Sequence, residues 1–302
     1  SSGIVVSGVT LKAPKGASVV TPTTTLMEKG GLTSQQVVSV LSLPDGVDPT
    51  NFNPYASYVN ADQALAVEKV SQQIINVANS FAAAAEGAGA SEAIAFTAAL
   101  NSIAEVVKTK VANLADDNAS IADKSLDLTN TADLNLIKNQ VIKEIGTIAG
   151  VNKMAFNALV NDTATAIENV NVKIATAVDL TSDASKNIFS TAQVLADQVK
   201  AAAFFEVNSA GSGAISFISE SAVNTSITNK APSDISLSSN SIREEAPSLT
   251  IGTLTTTDSD QTSGVNFTYK IAEIPGTDYS AFSINQETGE LLLNDQPDFK
   301  TK

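Results

Sequence analysis

The sequence predicts a multidomain α plus β protein, with an all-α antiparallel helical bundle followed by an incomplete antiparallel β-sandwich. Three observations carry that expectation. Over most of the 302 residues, apolar positions recur at spacings of three and four, the period of one helix face. Beyond residue 229 the period falls to two, and turn residues separate short runs, as in an antiparallel sandwich. Hydrophobic residues make up 43% but aromatics only 5%, with no Trp. Alanine and small aliphatic side chains must therefore fill the core, which suits closely packed helices. The expected division is an N-terminal strand and linker over 1–20, a helical module over 21–228 and a β module over 229–302.

Each element follows in order. Residues 4–11 are β-branched and short, and read as a strand. Ala13-Pro14-Lys15-Gly16 is a turn signal. Thr21 is a suitable N-cap with Pro22 at the first helical position, and Gly30-Gly31 stops that helix. Thr33 caps a second short helix carrying Val37, Val40 and Leu41. Leu43-Pro44-Asp45-Gly46-Val47-Asp48-Pro49 is a turn-rich connector. Its two aspartates read as turn formers and not as a cation loop.

Five longer helices are expected at 61–86, 91–115, 131–149, 153–178 and 183–206. Their stripes are Val67, Ile74, Val77 and Phe81; Leu100, Ile103 and Val107; Leu134, Ile137 and Val141; Phe156, Val160, Ile167 and Val170; and Ile188, Leu195 and Val199. Ser91 and Thr131 are expected caps. Short links between such helices make an antiparallel bundle. Tyr55 and Tyr58, near Phe52, form the one aromatic cluster, which reads as a plug for a bundle end or as the lining of a ligand pocket. The Ser- and Gly-rich stretch 208–228 fits helix and strand equally.

The absences bound the chemistry. The chain has no Cys and no His. That removes Ser–His–Asp and Cys–His nucleophiles, thiolate and imidazole metal sites, and disulfides. Oxygen ligands remain, and these suit hard cations such as calcium. The formal charge is −14, which disfavours nucleic acid and anionic membranes as partners. No stretch approaches the roughly 20 apolar residues of a membrane span.

The C-terminal stretch carries an ordered set of motifs. Asn229-Lys230-Ala231-Pro232 opens it, and Arg243-Glu244-Glu245-Ala246-Pro247 follows. Ile251-Gly252-Thr253-Leu254 precedes Asp258-Ser259-Asp260. Phe282-Ser283-Ile284, Thr288-Gly289-Glu290-Leu291 and Pro297-Asp298-Phe299 complete it. This order resembles the cadherin-like repeat of large bacterial surface adhesins of the RTX type. The opening of the chain, from Leu11-Lys12-Ala13-Pro14 to Asn53-Pro54, is similar to helical modules found beside such repeats.

The resemblance implies a cadherin-like sandwich and calcium at its two tips. Asp258 and Asp260, two apart at a strand end, would join Asn229 at the junction with the preceding module. Glu244 or Glu245 would join Asp298 at the opposite tip. Lys300 stands where the family has a Glu, which removes one ligand there. The chain reaches Lys302 before two closing strands would be expected, so either the repeat is truncated there or a neighbouring chain or upstream segment completes the sheet.

The function implied is non-enzymatic. It is that of an extracellular module supporting calcium-dependent cell adhesion or biofilm formation, with neighbouring repeats of the same or an adjacent chain as partners. The alternative is a recognition module whose helical domain binds a peptide, a cell-surface glycan or a host protein. A two-carboxylate glycosidase is the one enzyme chemistry the composition readily permits, and the lack of Trp argues against it.

Overall fold

A computed structural model describes residues 10–209, 234–244, 246–257, 267–272 and 277–296. Contacts divide the chain into two compact units, residues 1–227 and 228–302. The strand expected at 4–11 lies outside the described residues except for Thr10 and Leu11, which are irregular.

The helical unit opens with two short capped helices, α1 (Pro22–Gly30) and α2 (Ser34–Val40). Thr21 and Thr33 each accept from the backbone N–H three residues on, and the Thr24 and Gln36 side chains each return a bond to the cap. These reciprocal bonds satisfy donors that a helix start otherwise leaves open. Four longer helices and one short one come next: α3 (Ala61–Gly87), α4 (Glu92–Asn113), the single turn α5 (Ile121–Lys124), α6 (Thr131–Ile145) and α7 (Lys153–Ala175). Last comes α8 (Asp183–Ser209). The five expected long helices are therefore present, and α5 is an addition. Asn130, not Thr131, caps α6, its side chain accepting from the N–H of Ala132. Ser91 occupies the cap of α4 without a side-chain bond.

The predicted stripes meet in one core. Ile74, Val77, Phe81, Leu100, Ile103, Val107, Ile137, Val141, Ile167, Leu195 and Val199 are all fully buried. Helix α3 lies at the centre, against α4, α7 and α8. Its partner α7 runs antiparallel to it: Asn152 N–H, at the start of α7, donates to Ala88 O at the end of α3, while Gln73, nearer the other end, reaches Asn171 O. Five alternating helices must bring the first and last to the same direction. Accordingly Glu86 and Gly87 of α3 sit beside Lys200 and Ala203 of α8. That contact is made of small residues. A Cβ placed on Gly87 would come within 2.5 Å of both Ala203 Cβ and Lys200 O, so only glycine permits the approach.

Two buried polar groups fix register inside this apolar core. Asn76 and Asn171 are both fully buried; the Asn76 side-chain amide donates to Asn171 Oδ1 at 2.8 Å, and that of Asn171 donates to Leu128 O at 2.7 Å. Lys110 and Asp133 form an ion pair at 2.7 Å, with side chains 7% and 11% exposed. The ammonium also donates to Ala122 O, and the second carboxylate oxygen accepts from Asp127 N–H. Bonding on both sides offsets the cost of burying the charges.

The C-terminal unit holds a four-stranded antiparallel sheet in the order β1-β2-β4-β3, from β1 (Asp234–Leu237), β2 (Thr250–Thr257), β3 (Phe282–Ile284) and β4 (Glu290–Leu293). Strand β2 changes partner along its length. Thr250 to Thr253 pair with β4, and Leu254 to Thr257 with β1, with an irregularity between Thr250 and Gly252. Strands β3 and β4 form a hairpin over Asn285–Gly289. Gly289 has φ +71°, and an added Cβ would meet Leu254 O and the Tyr269 ring. The period-two alternation beyond residue 229 includes Phe267, Tyr269 and Ile271, but residues 267–271 form no strand. Burial does alternate along them, but among the backbone bonds described they make one, from Tyr269 N–H to Gln286 O, and one bond is not a ladder.

Candidate functional sites

Of the six residues expected to bind calcium, Asn229, Glu245, Asp258, Asp260 and Asp298 lie outside the described residues. Glu244 is described: it occupies a turn and is half-buried. Among the described residues, no group of three or more acidic, His or Cys side chains gathers as if for a metal ion. Glu290, to which the sequence reading gave no role beyond its motif, ties two strands together by accepting from the Thr250 hydroxyl at 2.8 Å.

Asp48 works as a turn former, as read. Its carboxylate accepts from the Ser34 hydroxyl, the Thr50 N–H and hydroxyl, and the Asn51 amide. Desolvation opposes its ionisation, but these four bonds together hold it below the ordinary carboxylate value. The turn it builds positions the next feature.

That feature is an open groove of about 450 Å³ at one end of the helical unit. One wall is the segment before and into α1, with Leu11, Val20 and Pro22. A second is the loop with Phe52, Asn53 and Tyr55. The floor is the first half of α3, with Val67, Glu68 and Gln72. Each wall is tethered. Lys12 N–H donates to the Thr25 hydroxyl, Ser18 N–H to Thr50 O, Phe52 N–H to Asp48 O and Tyr55 N–H to Asn53 Oδ1. A groove whose walls are fixed beforehand loses little entropy on filling.

The chemistry of the groove centres on Glu68. The residue is only 7% exposed although it carries a carboxylate. Its Oε1 accepts from the Gln72 amide at 2.7 Å, and Tyr55 lies near enough to feel its charge. Burial first, and then the adjacent Glu68 charge, push the Tyr55 phenol well above its ordinary pKa. Tyr55 still keeps 65% of its surface exposed. Of the aromatic cluster, Phe52 and Tyr55 line the groove, while Tyr58 is 83% exposed and stands outside it.

A smaller groove of about 210 Å³ lies between α3, α4 and α8. Lys200 spans it and pairs with Glu86 at 2.8 Å, which raises the lysine's pKa. Its central charge is therefore already matched.

No helix among the described residues is long and apolar enough to cross a membrane. Comparison with protein-family models, with curated proteins and with solved structures gives no match.

Proposed function

We propose that the chain is a non-enzymatic module of a secreted bacterial surface protein, acting in calcium-dependent adhesion. The observation that carries the reading is the ordered motif set from Asn229 to Asp298, with Asp258 and Asp260 following Thr257 in the sequence. Three further points support it. Strand β2 exchanges partners half-way, the device by which sandwich strands turn from one sheet to another. The net charge of −14 attracts divalent cations. The absence of Cys and His leaves oxygen as the ligand type for any bound metal.

In this reading calcium at Asn229, Asp258 and Asp260 stiffens the junction between modules. Glu244, Glu245 and Asp298 serve the next one. The test is a calorimetric calcium titration of the full chain beside the double variant Asp258→Asn, Asp260→Asn. Binding that the double variant loses supports the reading; equal binding by both, or none by either, rejects it.

A second reading, recognition by the helical unit, is favoured by the tethered open groove at Tyr55 and Glu68. It is independent of calcium.

A further inference from the structure

We infer that the groove at Glu68 binds a primary ammonium or guanidinium group carried on an aliphatic stem, as presented by a lysine or arginine side chain. The inference rests on the recognition reading and names its ligand class.

Glu68 is a buried carboxylate, yet among the described residues it forms no ion pair. The hydrogen-bond donor described for it is the neutral Gln72 amide. A carboxylate offers about four lone-pair positions, more than this one donor fills. A buried charge without a counter-charge is costly, and a cation arriving along the groove removes that cost.

The walls select the rest of the ligand. Leu11, Val20, Pro22 and Val67 are apolar and suit methylene groups. The exposed Tyr55 ring at the rim offers a π-face to a cation or its stem. About 450 Å³ exceeds one side chain and admits flanking peptide as well. An overall charge of −14 draws cationic partners toward the surface.

The test uses the full chain, labelled with ¹⁵N, and four probes: a capped Gly-Lys-Gly peptide, its norleucine counterpart, free butylammonium and maltose. The expected result is saturable shifts around Tyr55, Glu68 and Gln72 with the lysine peptide, and none with norleucine. Shifts with butylammonium as strong as with the peptide assign the site to small amines; a clear preference for the peptide assigns it to a protein partner. Either outcome keeps the cation. Glu68→Gln should weaken binding at least tenfold. Tyr55→Ala changes an exposed residue, should leave the melting transition in place, and should weaken binding severalfold.

Equal shifts with lysine and norleucine overturn the inference, as does undiminished binding by Glu68→Gln. Binding of maltose but not of the cations overturns it while preserving recognition by the helical unit. Silence toward all four probes rejects the cation and withdraws the groove's support for recognition.

Discussion

Phe81, Leu100, Ile137 and Ile167 are fully buried in the helical unit, whereas Leu254, Phe282, Ile284 and Leu291 of the sheet are only half-buried. Among the described residues of the C-terminal unit, Gly252 and Gly289 alone reach full burial. The helices thus enclose a core of their own. One face of a four-stranded sheet cannot do that and needs a second layer. The two units therefore draw stability from different sources: side-chain packing for the helices, and for the sheet, backbone ladders plus whatever covers its apolar face.

Substitutions can break this comparison. The largest contrast is between two phenylalanines. Phe81→Ala should cost about 3–5 kcal/mol in urea unfolding of the helical unit. Phe282→Ala, at a half-buried position, should cost roughly half as much. Equal costs would show that the sheet is as well covered as the bundle.

Next is the buried pair. Lys110→Met strands the Asp133 carboxylate and should cost about 3–5 kcal/mol, much of it restored when Asp133→Leu is added. A double variant no better than the single one would assign the Asp133 oxygens a structural role through Asp127 N–H. Third, Gly87→Ala should separate α3 from α8 at a cost of about 1–3 kcal/mol. Gly289→Ala, strained by its positive φ, should cost the sheet about 1–2 kcal/mol. Equilibrium unfolding of both variants gives the comparison.

The smallest effect is electrostatic. Asp48 has its pKa lowered in the folded state. Its contribution is present above the unfolded carboxylate value, near pH 4, and is lost as pH falls through the folded value. Being exposed, it should be worth no more than about 1 kcal/mol. The protection factors of the amides around Thr50 and Asn51 should fall below about pH 4, while the Phe81 region stays protected.

Much of the helical unit was legible because its signals are local. Thr21-Pro22 and Thr33 are caps whose partners lie three residues away, and the stripes through Phe81 and Ile167 need only a period. The Asn76–Asn171 and Lys110–Asp133 contacts were not legible, because each joins elements far apart in sequence, and a lone Asn or Lys within a stripe carries no sign of its partner. The groove was half legible. Its aromatic residues stood out, but the decisive Glu68 sits in α3 among ordinary surface charges until the fold buries it. In the sheet, alternation over 267–271 gave burial rather than pairing, since period two records facing and says nothing of neighbours.

Scanning calorimetry of the full chain in excess calcium and in chelator tests the central claim most directly. With calcium a hundredfold above its Kd, a ligand that binds only the folded sheet adds about 2.7 kcal/mol, or roughly 10–20 °C for a unit of this size. That shift is expected in the transition of the C-terminal unit, and none in that of the helical unit. A thermogram unchanged by calcium, or a shift confined to the helical transition, would contradict it.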